Sequence, residues 1–351
     1  MSDDEILFER RGAAGFVTLN RPKALNAVTH DMVRRLRAQL DAWAGDDAIT
    51  RVVVTAAGER AFSAGGDIRA LTDLGKAGKY DEALQFWRDE YALNAVIKNY
   101  GKPYVALIDG IVMGGGVGVS VHGSHRVAGD RFSFAMPEVG IGFFPDVGAT
   151  WFLPRMPGEV GTYCALTGER FGIGDGLAAG VATHRIPTAR FPALLDGLSG
   201  TVPVDAVLAA FAEPADAGAI VQRKDAIDRL FKGDHVEDIL AALDREAAFG
   251  RTDADWAGKT ANTIRNKSPL SLKLALAQVR RGGSMDFATC IRTEFRIVSR
   301  VIHGHDFYEG VRAVIVDKDN KPQWQPRTLA EVSDAEVERH FAPVPNELAL
   351  P

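Results

Sequence analysis

Strand-like and helix-like patterns of apolar residues alternate over the first third of the chain and predict strands separated by helices. The short β-branched runs at 15–20 and 51–56 and the apolar run at 104–108 are typical of strands. Apolar residues recur at helical spacing between these runs, first at Val33, Leu36, Leu40 and Trp43, and then at Tyr80, Leu84, Trp87 and Tyr91. Thr29 is placed to cap the first of these helices. The pattern predicts an α/β architecture with crossover connections, built either as stacked repeats or as one doubly wound sheet.

The second half of the chain is richer in alanine, and its apolar residues follow helical spacing. The pattern predicts helices at 158–168, 203–212, 219–231, 235–248 and 271–278, and a further helix that starts at Asp306. For that last helix, Asp306 and Glu309 have the spacing of a capping arrangement. We therefore expect an α/β core over residues 1–200 and a helical C-terminal region, residues 201–351, that packs on the core.

Composition and charge exclude several classes of function. A chain of 351 residues with 46% hydrophobic residues can bury a large core without disulfides, and its net charge of −5 argues against a nucleic-acid partner. The apolar stretch 105–121 is interrupted by Asp109 and by glycines, so it is too short for a membrane span, and we expect no membrane partner. The acidic N-terminus lacks a signal core, and Cys164 and Cys290 lie far apart, which predicts a cytoplasmic location.

Two glycine-rich turns follow two of the predicted strands. The first contains Gly65 and Gly66, and the second runs from Gly114 to Gly118. Glycine lets main-chain N–H groups approach a ligand closely, and a helix beginning at Gly114 would add the positive end of its dipole. Two such turns could form an oxyanion hole, although close helix packing explains a glycine run equally well. Neither turn has the spacing of a phosphate-binding loop or of a dinucleotide fingerprint.

Two carboxylates follow in a short loop that is rich in apolar residues. Glu138 and Asp146 flank Phe143 and Phe144, so burial would raise the pKa of each carboxyl toward the range that is useful for proton transfer. The alternative is that they are turn or capping carboxylates. Their position downstream of both glycine turns favours a role in catalysis.

Other polar residues are weaker candidates. His303, His305 and Asp306 look like part of a metal cluster, but no second group of ligands completes it, and we expect no metal site. His122 and His125 lie near the second glycine turn without the nucleophile elbow of a serine hydrolase, so we expect local polar contacts. Cys164 stands in an apolar helical context, which is typical of a core thiol.

Three motifs together resemble the enoyl-CoA hydratase/isomerase (crotonase) superfamily: Asn-Arg-Pro-Lys-Ala-Leu-Asn-Ala at 20–27, Phe-Ser-Ala-Gly-Gly-Asp-Ile at 62–68, and the glycines at 114–116. The resemblance implies a spiral core of repeated ββα units that binds coenzyme A thioesters, with coenzyme A as part of the substrate and no separate cofactor. It implies that the N–H groups of Gly66 and Gly115 polarise the thioester carbonyl. It also implies a coenzyme A path along Lys23, Ala24, Leu25, Ala64, Asp67 and Ile68.

Longer stretches are similar to the members of this superfamily that hydrolyse short β-hydroxyacyl-CoA thioesters: 86–91, 115–123, 136–155 and 304–324. The resemblance implies that Glu138 acts as nucleophile or general base and that Asp146 positions the substrate hydroxyl or assists as acid or base. Glu90 would complete the acyl pocket. The candidate acyl groups are 3-hydroxyisobutyryl and 3-hydroxypropionyl, in valine breakdown, and a homo-oligomer is possible.

One position departs from the hydratase pattern. Hydratases resemble one another in carrying two glutamates, and the first would fall where this chain has Gly118. Adding water across a double bond calls for both groups, so the departure favours hydrolysis. A hydratase or isomerase that uses Glu138 alone stays the alternative, and a non-catalytic acyl-CoA-binding module is a third hypothesis.

Overall fold

A computed structural model describes residues 4–249 and 252–351 of the chain. Its strands are β1 (Ile6–Arg11), β2 (Ala14–Leu19), β3 (Arg51–Ala56), β4 (Ala61–Ser63), β5 (Tyr104–Ile108), β6 (Ile111–Met113), β7 (His125–Ala128), β8 (Ser133–Ala135) and β9 (His184–Arg185). The predicted runs at 51–56 and 104–108 are confirmed, and the run at 15–20 is β2, one residue earlier.

The strands form two sheets whose members alternate along the chain. The larger sheet has the order β1-β2-β3-β5-β7-β9, and the smaller one has the order β4-β6-β8. β1 and β2 pair antiparallel, and the other neighbours pair parallel. β3, β5 and β7 of the larger sheet are each followed directly by a strand of the smaller sheet and then by helical turns. The chain therefore forms repeated ββα units, and the doubly wound alternative is wrong.

Helices surround the sheets and make up most of the second half of the chain. They are α1 (His30–Ala44), α2 (Ile68–Lys76), α3 (Tyr80–Lys98), α4 (Gly115–Gly118), α5 (Ala149–Phe152), α6 (Val160–Thr167), α7 (Ile173–Ala178), α8 (Phe191–Ser199), α9 (Val204–Phe211), α10 (Ala219–Gln222), α11 (Lys224–Leu230), α12 (Val236–Ala248), α13 (Ala254–Arg265), α14 (Pro269–Gly282), α15 (Phe287–Val301), α16 (His305–Val311) and α17 (Asp334–Phe341). None of the helices in the described ranges is both long enough and apolar enough to cross a membrane.

Both faces of the larger sheet are covered. Along β3, Val52 and Val54 belong to the main hydrophobic core, whereas Val53 points to a second cluster that includes Leu194 of α8 and Leu208 of α9. Successive side chains of a strand point to opposite faces, so a strand that is apolar throughout needs cover on both sides. The domain boundary at residue 200 stays a prediction.

The predicted helices form with small changes at their ends. Thr29 caps α1 by accepting a hydrogen bond from the N–H of Met32, which confirms that prediction. The helix predicted at 271–278 begins earlier, at Pro269, because Ser268 caps it and proline is favoured at the first helical position. The single helix predicted at 219–231 is wrong, since α10 and α11 are separated at Arg223.

The capping arrangement predicted for the last of these helices is also wrong. α16 begins at His305, and its N-cap residue, Gly304, offers no side chain for a cap. Asp306 instead accepts hydrogen bonds from the Ser268 hydroxyl at 2.6 Å and from the Gln325 N–H at 2.7 Å. Glu309 pairs with Arg312 at 2.8 Å. Tertiary partners therefore take the Asp306 carboxylate, and an ion pair within three residues takes Glu309, so neither caps the helix.

Close backbone contact joins α16 to the 3-10 turn Glu138–Ile141, which carries one of the candidate carboxylates. A Cβ atom at Gly310 would lie 2.3 Å from the backbone carbon of Ile141, and a Cβ at Gly142 would lie 2.0 Å from the carbonyl oxygen of Asp306. Only glycine permits these approaches. The C-terminal region thus contacts the Glu138 turn through its backbone.

We predict that Gly310→Ala destabilises the protein by about 1–3 kcal/mol, because α16 must move away from Ile141. Urea unfolding of the variant measures this cost. Gly101→Ala is the matched control, since a Cβ there meets no atom within 4 Å. Equal stability of the two variants would show that this contact does not fix the position of α16.

Candidate active site

The two glycine-rich turns meet at the carboxyl ends of neighbouring parallel strands. Gly65 and Gly66 follow β4, and Gly114 and Gly115 follow β6, which pairs with β4. The first turn is held by the Val28 backbone, whose N–H donates to Gly65 O at 2.8 Å. A Cβ at Gly115 would lie only 3.1 Å from the nitrogen of Gly66. The strand pairing therefore brings two segments about 50 residues apart into contact.

The amides of Gly66 and Gly115 donate to no protein acceptor within the described ranges. α4, which begins at Gly115, has a single turn. The helix dipole expected from a helix at Gly114 is therefore a minor contribution, because a macrodipole needs several aligned peptide units. What the turns offer a ligand is two separate N–H donors.

Three buried carboxyl groups face these turns. Glu90 comes from α3, Glu138 from the 3-10 turn after β8, and Asp146 from the loop that precedes α5. These three residues are 2%, 6% and 5% exposed, respectively. A Cβ at Gly115 would lie 2.6 Å from Glu90 Oε1, which explains the need for glycine there. Glu90 Oε1 and Glu138 Oε2 have no hydrogen-bond partner in the described part of the chain.

Burial makes these carboxyl groups hold their protons tightly. It raises the pKa of Glu138 and of Glu90 well above the usual range, and the charge of Asp146 raises both pKa values further. Burial also raises the pKa of Asp146 to about 7, against the opposing effect of the Tyr91 hydroxyl, which donates to Asp146 Oδ2 at 2.9 Å. Asp146 therefore exchanges its proton near neutral pH, which suits acid–base catalysis.

A cavity of about 480 Å³ collects most of the predicted site residues. Those that line it are Ala64, Gly66, Asp67, Ile68, Glu90, Gly115, Glu138 and Asp146. Lys23, Ala24 and Leu25 do not line it, and Lys23 and Ala24 are exposed in a 3-10 turn next to it. This turn touches the site through its backbone, because Leu25 O accepts the N–H of Ala64 at 2.9 Å.

Sequence reasoning missed the residues that the C-terminal half contributes. Lys267, Val314, Ile315 and Asn320 line the same cavity. Burial lowers the pKa of Lys267, a half-buried cation that follows α13. Nothing in the local pattern distinguishes these residues from other surface positions. Tyr91 was predicted only as a helix residue, and its bond to Asp146 depends on the tertiary fold.

The space around Gly118 is filled by other groups. A Cβ there would lie 2.7 Å from Asn94 Nδ2 and 3.0 Å from Val147 Cβ. Asn94 is fully buried, so it cannot move into solvent to make room. A carboxylate at this position therefore does not fit the present packing.

The remaining histidine and thiol candidates have structural roles. His122 Nε2 donates to Val147 O at 2.6 Å, and burial lowers the pKa of His122 to about 4, so the ring is neutral. His125 pairs with Asp205 at 2.8 Å. Burial raises the pKa of Cys164, which is typical of a core thiol. Among residues 4–249 and 252–351, no group of three or more His, Cys, Asp or Glu side chains could hold a metal ion.

The raised pKa of Asp146 implies a cost in stability at neutral and alkaline pH. The folded state keeps the proton up to about pH 7, whereas the unfolded chain loses it near the ordinary aspartate pKa of 3.8, so stability falls as the pH rises between these values. We predict that Asp146→Asn melts at a higher temperature than the wild type at pH 8 and loses this advantage near pH 4. Calorimetry checks this, with Asp205→Asn, at an exposed aspartate, as the control that gains nothing at pH 8.

One known family matches most of this chain. The profile of the family described as enoyl-CoA hydratase/isomerase matches residues 14–341. The zebrafish (Danio rerio) protein named "3-hydroxyisobutyryl-CoA hydrolase, mitochondrial" is 45% identical over 348 residues, which is 96% of this chain and 89% of that protein. The human protein of the same name is 40% identical over 348 residues, which is 96% of this chain and 88% of the human protein.

Two solved structures have the same fold over nearly the whole chain. One is described as a carnitinyl-CoA dehydratase from Mycobacterium thermoresistibile, with 43% identity, a TM-score of 0.93 and 99% coverage of both chains. The other is described as an enoyl-CoA hydratase from Rhodobacter sphaeroides 2.4.1, with 39% identity, a TM-score of 0.92, and coverage of 99% of this chain and 100% of that one. The repeated ββα core, the paired glycine turns and these matches together show that the chain belongs to the enoyl-CoA hydratase/isomerase family.

Proposed function

We propose that the protein hydrolyses a short β-hydroxyacyl-CoA thioester, with 3-hydroxyisobutyryl-CoA as the substrate and 3-hydroxyisobutyrate and coenzyme A as the products. The observation that carries the proposal is the buried group of Glu90, Glu138 and Asp146 facing two unpaired amides, with no room for a carboxylate at Gly118. Relatives that match nearly the whole chain are named as hydrolases of this thioester.

The amides of Gly66 and Gly115 form the oxyanion hole in this proposal. Both line the cavity, and neither donates to another acceptor in the described ranges, so both are available to the thioester oxygen. A preorganised donor stabilises the negative charge that develops on this oxygen, and each such donor typically changes the rate by about 10²–10³.

Glu138 acts on the thioester carbon by one of two routes. Its carboxylate attacks the carbon, expels coenzyme A as a thiolate that takes up a proton, and water then hydrolyses the resulting anhydride. Alternatively, it removes a proton from the water that attacks. Asp146 supplies or accepts the proton, for which a pKa of about 7 is suitable, and it orients the substrate hydroxyl. Glu90, with its free Oε1, completes the acyl pocket.

The coenzyme A part of the substrate lies toward the mouth of the cavity. Ala64, Asp67 and Ile68 line this path, and Lys23, Ala24 and Leu25 continue it at the surface turn that adjoins Ala64. Coenzyme A enters as part of the substrate, and the proposal includes no further cofactor. A homo-oligomer, a cytoplasmic location and a role in valine breakdown stay predictions; the vertebrate relatives carry the word mitochondrial in their names.

The alternative is hydration or isomerisation of an enoyl-CoA with Glu138 as the single acid–base group. Two solved structures with the same fold are described as a dehydratase and a hydratase, which is the observation in its favour. The packing of Asn94 and Val147 around Gly118 counts against it, because a second carboxylate has no space there.

Thiol release separates the two functions. We predict that the purified protein releases free thiol from 3-hydroxyisobutyryl-CoA, measured with a thiol-reactive chromophore, and none from crotonyl-CoA. A fall in the double-bond absorbance of crotonyl-CoA without thiol release would establish the alternative. Saturable binding of both thioesters with no turnover would contradict both functions.

We predict that Glu138→Gln lowers kcat at least about 100-fold with little change in KM, because the amide can neither attack nor remove a proton. In the wild type, kcat should fall as the pH is lowered through the raised pKa of Glu138, since the charged form is needed. Glu59→Gln, at an exposed glutamate, is the control. Full turnover by Glu138→Gln would exclude this role.

A further inference from the structure

A fourth buried carboxyl group, from the C-terminal helices, binds the segment that follows Asp146. Glu294 lies on α15, and its residue is fully buried. Its Oε2 accepts the N–H of Gly148 at 2.7 Å, and its Oε1 accepts the N–H of Thr150 at 2.8 Å. A single side chain thus holds two amides of the segment that directly follows Asp146.

This segment has an unfavourable backbone conformation. Val147 has a φ of +52°, in the left-handed region that a β-branched residue rarely adopts, and Gly148 follows with a φ of +90°. Such a conformation persists only where its surroundings impose it, and it concentrates at functional sites. Val147 directly follows Asp146, so the strained turn and the Asp146 carboxyl group belong to one short segment.

Contacts from several helices impose the conformation. Before the strained residue, Gln278 Nε2 donates to Pro145 O at 2.5 Å, and the Tyr91 hydroxyl donates to Asp146 at 2.9 Å. At Val147 itself, His122 Nε2 donates to the carbonyl oxygen at 2.6 Å. After it, the two side-chain bonds come from Glu294.

Packing alone does not account for a carboxyl group at this position. A buried carboxylate loses its hydration, and an apolar side chain of similar size fills space without that cost. Burial and the charge of Asp146 raise the pKa of Glu294 to about 8, while its bonds to the two amides oppose the rise. The two hydrogen bonds from backbone amides, one to each carboxyl oxygen, are what a carboxyl group can accept and an apolar residue cannot.

We propose that Glu294 is a positioning residue: through the amides of Gly148 and Thr150 it fixes the strained turn at Val147 and thereby aims Asp146 at the substrate beside Glu138. The inference rests on the proposed hydrolase function and adds to it a residue that does not touch the substrate.

The charge of Glu294 also affects the groups around it. The titratable groups that interact with it are Glu90 and Tyr91 of α3, Glu138 and Asp146 of the cavity, and Cys290 of α15. Glu294 raises the pKa of Glu138, so its neutralisation lowers that pKa.

The test uses the full chain and the variants Glu294→Gln and Glu294→Leu. Gln keeps one acceptor oxygen at the same length, and Leu keeps none. Thr293→Val is the matched control, because Thr293 is buried on the same helix and its hydroxyl donates only to Thr289 O, at 2.8 Å. The measurements are kcat and KM for 3-hydroxyisobutyryl-CoA as a function of pH, and hydrogen exchange of the amides in residues 146–150.

We expect Glu294→Gln to lower kcat about 10- to 100-fold with KM within about twofold, and Glu294→Leu to lower it further or to fail to fold. The amides of Gly148 and Thr150 should exchange faster than in Thr293→Val. Wild-type kcat in the Gln variant, or a loss that is entirely in KM, would overturn the inference. So would unchanged exchange of the two amides.

The two proposals fail in different ways. If the wild type releases no thiol, the proposed function fails, and the exchange of Gly148 and Thr150 still shows whether Glu294 holds the segment. If the wild type hydrolyses the thioester and Glu294→Gln behaves like Thr293→Val, only the positioning role fails.

Discussion

The burial of several carboxyl groups in one largely apolar cavity is the constraint on which the site depends. Glu90, Glu138 and Asp146 lie beside the stacked rings of Trp87 and Phe143, whose centroids are 5.8 Å apart. Removing these carboxyls from water raises their pKa values and costs stability, and the rest of the fold has to offset this cost. The same desolvation strengthens every interaction with charge that develops on a substrate. Removal from water therefore causes both the loss of stability and the strong electrostatic interactions that catalysis uses.

Close backbone approach makes this arrangement possible. At the substrate side, the turns after β4 and β6 come so near that a side chain at Gly115 would collide with Glu90. On the other side of the Glu138 turn, α16 contacts Ile141 through Gly310. Glycine at both places lets main-chain segments approach where a side chain would separate them. The C-terminal helices therefore act as part of the site, since they contact the Glu138–Ile141 turn through its backbone and hold the Asp146 segment through Glu294.

The fold by itself does not decide the reaction. Structures described as a dehydratase and as a hydratase superpose on nearly all of this chain, although the curated relatives are named as hydrolases. Folds host different reactions through changes in a few side chains. Here the informative position is Gly118, where Asn94 and Val147 occupy the space that a further carboxylate would need. The physical basis for assigning hydrolysis is the set of carboxyl groups that are buried together and the absence of a carboxylate at Gly118.

The sequence alone determined the repeated strand–helix pattern, the cap at Thr29 and the two glycine turns, because hydrophobic period, capping and φ preference are local properties. It also singled out Glu138 and Asp146 from their apolar flanks. The tertiary structure decided what depends on distant partners. Asp306 bonds to Ser268 rather than capping its helix, Lys267 enters the cavity, and Glu294 joins a segment almost 150 residues away in sequence. Such contacts leave no pattern in the local sequence, because they form only when the C-terminal helices pack on the core.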